Sequence, residues 1–117
     1  MKQIKVLVAI ALAVPLFALA QANTPRVDQR AANQQQRIDQ GVASGSLTPR
    51  EANRLERGQL HVDRMEARAK ADGVVTNRER ARLHQAQDVQ SRRIYSQKHD
   101  RQHDYNHNGL LDRPRRR

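Results

Sequence analysis

The sequence predicts an all-α fold: three antiparallel helices followed by a polar C-terminal tail. Three observations lead there. The stretch Gly45 to Leu55 returns as Gly73 to Leu83, with Gly, an apolar residue, Thr, Arg, Glu and Leu at the same offsets. Apolar residues elsewhere recur at helical spacings of three and four. Strand signals are nearly absent, since no β-branched run exceeds Val74-Val75-Thr76.

Each copy of the repeat reads as a helix stop followed by a helix start. Gly45 and Gly73 suit the left-handed position just past a helix C-terminus, where a side chain would clash. Thr48 and Thr76 are expected N-caps, and Glu51 and Glu79 three residues later complete two capping boxes. Pro49 falls at the first helical position, where its missing N–H costs nothing.

Residues 1–22 read as a secretory signal peptide. Lys2 and Lys5 form a positive head, Val6 to Ala20 is almost wholly apolar, and Ala20-Gln21-Ala22 is a small-x-small cleavage site. Cleavage near Ala22 would deliver the chain to the periplasm or the medium. The 117-residue chain has no cysteine and a net charge of +10. Disulfides, thiolate zinc sites and a cysteine nucleophile are therefore excluded.

Residues 23–100 form the expected helical domain. Thr24 and Pro25 open the first helix, and Val27, Ala31, Ile38 and Val42 make its buried stripe. Gln34, Gln35 and Gln36 are expected on its polar face. The helix should end near Val42 or Ala43. The second helix runs from Pro49 to about Ala71, with Leu55, Gly58, Val62, Met65 and Ala69 as its stripe and Glu66–Lys70 as an i,i+4 ion pair. Gly58 marks a close helix contact or a kink. The third runs from Thr76 to about Lys98. It buries Leu83, Ala86, Val89, Ile94 and Tyr95, and pairs Asp88 with Arg92. Leu47, Leu60, Val74, Val75, Tyr105, Leu110 and Leu111 complete the candidate core. That core is thin, which predicts marginal stability, a partner or homo-oligomerisation.

The repeat resembles the EF-hand pattern, in which a loop carries Gly at position 6, an apolar residue at 8 and Glu at 12. Gly45, Leu47 and Glu51 keep that phase, as do Gly73, Val75 and Glu79. The resemblance implies helical hairpins, and a contact between Leu47 and Val75. The ligand positions depart from it: Gln40, Val42 and Ser44 in one loop, Arg68, Lys70 and Asp72 in the other. Both loops are thus expected to have lost calcium. The sequence is also similar to small exported proteins of proteobacteria, a likeness that implies no activity.

Residues 101–117 are expected to form a polar, basic tail with an EF-hand-loop-like segment. Asp104, Asn106, Asn108 and Asp112 follow the D-x-[DN]-x-[DN]-G pattern with Gly109 at position 6. Position 12 is Arg115, so the bidentate acid is missing and any Ca²⁺ affinity should be weak, with a Kd of about 1 mM or worse. A competing reading takes His99, His103 and His107 as zinc, copper or nickel ligands, one face of a helix continued through residue 107. The two readings exclude each other beyond Asp104, because helix favours the imidazoles and loop favours the oxygens. His61 and His84 read as plain surface residues.

No nucleophile elbow, phosphate loop or dinucleotide fingerprint is present, and Glu51 and Glu79 are accounted for as caps. No enzyme, resident cofactor or small-molecule substrate is therefore expected. The function that fits is a non-enzymatic periplasmic or secreted interaction module, its partner a protein or an anionic envelope component. Two alternatives stand beside it. One is divalent-metal binding by the C-terminal segment. The other is binding of lipopolysaccharide or nucleic acid by the basic surface.

Overall fold

The computed structural model describes residues 23–112. The signal-peptide reading of residues 1–22, and Arg115, lie outside the described residues. Three helices make up the fold: α1 (Pro25–Ser44), α2 (Pro49–Lys70) and α3 (Asn77–Lys98). There is no strand among the described residues.

The repeat builds both turns. Gly45 and Gly73 hold φ of 74° and 83°, and their N–H groups donate to Val42 O (3.1 Å) and Lys70 O (3.0 Å). Both capping boxes close. Glu51 N donates to Thr48 Oγ1 at 3.3 Å and Thr48 N to Glu51 Oε2 at 2.9 Å. Glu79 N and Thr76 N make the matching pair at 3.2 and 2.8 Å. Together these bonds satisfy N–H groups that the first turn of a helix leaves orphaned.

Packing fixes the direction of the rods. At one end Val27 of early α1 clusters with Ala69 of late α2, Val75 and Leu83 of early α3. At the other end Ile38 of late α1 clusters with Leu47, Leu55 of early α2 and Ile94 of late α3. α2 therefore runs opposite to α1 and α3. Leu47 and Val75 consequently lie in separate clusters and do not meet as the EF-hand resemblance implied. Two turns joined by a single helix fall at opposite ends of it, about 30 Å apart for 22 residues.

Between the clusters lies a belt of buried glutamines. Gln34 of α1 donates Nε2 to Gln87 O and Ser91 Oγ, both at 2.8 Å. Gln87 of α3 returns the bond to Val27 O at 2.9 Å. Gln59 of α2 donates to Ala31 O at 3.3 Å, and Gln90 of α3 to Leu55 O at 2.7 Å. Helical carbonyls have a second lone pair, so they accept these amides without giving up their own helix bonds. Gln34 is thus a core residue, only 2% exposed, and not part of the expected polar face. Gly58 is the close contact, not a kink: a Cβ there would lie 2.3 Å from Gln90 Oε1.

Other expectations are corrected. Val42, Leu60, Val74, Tyr95, Tyr105, Leu110 and Leu111 are exposed. Three rods cover only the inner stripe of each helix, and Val42, Leu60 and Tyr95 fall beside it; Val74, Tyr105, Leu110 and Leu111 lie outside the helices, in the second turn and the C-terminal loop. Glu66 and Lys70 do pair, at 2.7 Å. Asp88 instead takes Arg30 of α1 (2.5 Å) and not Arg92. Thr24 occupies the cap position of α1 but makes no cap bond; its hydroxyl donates to Glu66 Oε1.

Candidate functional site

Two places carry groups that could engage a ligand. The first is the C-terminal loop. α3 stops at Lys98, and His99 has a non-helical φ of −115°. His99 stacks on Tyr95 with ring centroids 4.1 Å apart, and its Nδ1 lies 2.7 Å from Tyr95 O. His103 stacks on Tyr105, and His107 adopts φ 55°. The three imidazoles therefore share no helix face, the arrangement on which the transition-metal reading depended. Asn106, Asn108 and Gly109 are poor helix formers, and the chain turns at them instead.

The oxygen-bearing residues do come together. Asp104, 3% exposed, accepts N–H bonds from Asn108 and Gly109, both at 3.0 Å. Asn106 Oδ1 accepts from Asn108 N (3.0 Å), and Asn108 Oδ1 from Leu110 N (2.8 Å). Asp112 closes the loop, accepting from Tyr105 N at 2.7 Å and from Asn106 Nδ2 at 2.9 Å. Its oxygens are thus turned onto the loop's own N–H groups. Among the described residues no group of three or more His, Asp or Glu is arranged to hold a metal ion. The whole loop is docked on the α1–α2 turn, where Asp104 N donates to Gly45 O at 2.8 Å.

Burial pushes the Glu51 carboxyl above the ordinary range, against the lowering pull of its bonds from Thr48, and the neighbouring Asp100 carboxyl adds to the rise. Burial also raises Glu66, but Lys70, Thr24 and Asp28 outweigh it and hold that carboxyl below the ordinary range. Both groups serve the ends of helices and lie away from the second candidate site.

That second site is a groove of about 580 Å³ between α2 and α3. Its floor is Gly58, Val62, Met65, Ala86 and Val89; its rims carry Arg54, Arg57, Arg82 and Arg93. A hollow of about 410 Å³ continues it past His61 and Met65 to Arg64 and Arg68. The six arginines are exposed, and none makes an ion pair among the described residues. Glu79 is the only carboxylate lining either hollow. Positions 54, 57, 61, 64 and 68 advance by three and four, so helix geometry alone stacks them into one stripe. That spacing is present in the sequence, hidden among arginines that occur along the whole chain. No protein family, curated protein or solved structure matches this chain. None of its helices among the described residues is long and apolar enough to cross a membrane.

Proposed function

We propose that the chain is a non-enzymatic helical interaction module, exported to the periplasm or secreted, that binds its partner through the α2–α3 groove. One observation carries this reading: six arginines without carboxylate partners line an apolar floor on a single face. Cations that the protein leaves unsatisfied beside recessed apolar surface are an interface in waiting, because an anionic partner gains both contacts at once. Export rests on the pattern of residues 1–22.

Site-specific photo-crosslinking in cells tests the binding face. A benzophenone side chain replacing Gln85 on the groove rim should yield a discrete adduct, and one replacing Gln36 on the exposed side of α1 should not. No adduct from Gln85, or equal adducts from both, refutes the reading. Fractionation of a C-terminally tagged chain tests export, and retention in the cytoplasm refutes it.

A second reading is weak divalent-cation binding by the C-terminal loop, favoured by the gathering of Asp104, Asn106, Asn108 and Asp112 into one turn. Calorimetry with Ca²⁺, Zn²⁺ and Cu²⁺ on the chain from Asn23 decides it. Absence of heat at millimolar metal ends it.

A further inference from the structure

We infer that the occupant of the α2–α3 groove is an acidic amphipathic helix of another protein, laid lengthwise as a fourth rod. This rests on the reading that the groove is the binding face. The shape comes first. Two antiparallel helices flank the groove, and its floor includes Ala86, a small residue that lets a third backbone approach closely. Val62, only 4% exposed, is recessed, so a flat membrane surface would reach the arginines and miss the floor.

The distribution of charge narrows the partner further. The stripe from Arg54 to Arg68 is about 21 Å long on an α-helix. A single-chain amphiphile carries its charge at one end and would leave most of that stripe unmatched. An acidic helix repeats carboxylates every three or four residues, the same period as the arginines, and offers an apolar stripe to the floor between them. A nucleic acid would supply the charge but not the apolar stripe, and both tyrosines, the natural stacking groups, lie off this face.

A second copy of this chain does not fit. Seven of its twelve acids are engaged elsewhere: Asp28 and Glu66 on Lys70, Asp88 on Arg30, Glu51 and Glu79 in the capping boxes, Asp104 and Asp112 in the C-terminal loop. Glu56 and Asp63 of α2 are exposed without an ion pair among the described residues, but each stands beside an arginine of its own helix and two acids do not match the stripe. A chain of net charge +10 would meet itself with like charge. The partner is therefore a different, acidic protein.

The test uses the chain from Asn23 and a labelled synthetic peptide of about 18 residues, enough to cover the stripe. The peptide has leucine and alanine on one face and glutamate on both flanks. Titration by fluorescence anisotropy should show saturable binding, and circular dichroism should show the peptide gaining helix. A scrambled peptide of the same composition should bind at least about tenfold more weakly. Ala86→Trp, which fills the floor and leaves the charge unchanged, should weaken binding about tenfold, as should Arg57→Glu with Arg82→Glu. Helix content of each variant is checked first; if Ala86→Trp unfolds the bundle, Val89→Glu takes its place with the same expected loss. Equal binding of the scrambled peptide, or no binding of the designed one, overturns the inference. So does tighter binding of an oligonucleotide or of phosphatidylglycerol vesicles that Ala86→Trp leaves unchanged. A crosslink from Gln85 combined with failure of the peptide would keep the groove as the binding face and remove only the helical occupant.

Discussion

Replacing each turn glycine by alanine separates two roles that the repeat makes look identical. Gly45 and Gly73 are both left-handed residues past a helix end. For either, an alanine in that conformation costs about 1–2 kcal/mol. At Gly73 nothing lies within 4 Å of the added Cβ, so the cost stops there. At Gly45 the Cβ would come 2.5 Å from Asp104 O and 2.6 Å from Tyr105 Cα. Backbone cannot swing aside as a side-chain tip can, so the C-terminal loop must lift. That breaks the bond from Asp104 N to Gly45 O, worth about 1 kcal/mol, and exposes what the loop covered. Gly45→Ala should therefore cost about 2–4 kcal/mol against about 1–2 for Gly73→Ala. Urea unfolding followed by circular dichroism measures both. Repeating the pair in a chain ended at Asp100 completes the cycle: without the loop, Gly45→Ala should fall to the Gly73→Ala value. Equal costs in the longer chain would refute the docking of the loop on this turn.

Three further outcomes are expected. Gln59→Met removes a buried Oε1 that has no partner and gives up one long bond to Ala31 O; stability should stay within about 1 kcal/mol of the parent, in either direction, by urea midpoint. Glu66→Gln should cost roughly 1–2 kcal/mol at pH 7 and progressively less as the pH is lowered below about 4.5. The folded-state pKa of Glu66 is depressed, so its contribution is present above the unfolded value of about 4.5 and vanishes as pH falls through the folded one. Glu51→Gln should show the opposite sign. The raised carboxyl is a burden above its folded pKa that lifts on acidification, so the variant should lose that share of the gain between pH 7 and pH 4 in thermal melts.

Much of the architecture was legible because the chain announces its helix ends with backbone chemistry. Glycine at a left-handed position and threonine three residues before glutamate act locally, so no knowledge of the neighbours is needed. The interior was less legible. Gln34, Gln87 and Gln90 look polar by composition, yet a glutamine amide can be satisfied by a carbonyl of the next helix, and only the packed arrangement reveals that a carbonyl waits there. Leu60 and Val42 failed in the other direction, since each lies beside the inner stripe of its helix. In the candidate sites, the D-x-N-x-N-G segment was readable as a turn, and the three imidazoles share no helix face because α3 stops at Lys98, ahead of all of them. The basic stripe of α2 was readable in principle as Arg54, Arg57, His61, Arg64 and Arg68. Its counterpart rim, from Arg82 and Arg93, needed the pairing of α2 with α3.

The glutamine belt also sets the register of the bundle. Leucine and valine contacts are non-directional, so a thin apolar core would tolerate one helix sliding past another by a turn, a step of about 5.4 Å. The amide-to-carbonyl bonds of Gln34, Gln59, Gln87 and Gln90 forbid that ratchet. Sliding α1 alone would break three of them together at about 1 kcal/mol each, a large share of the 5–15 kcal/mol or so that holds a small domain folded. Directional amides thereby do the aligning that a larger core would do by shape.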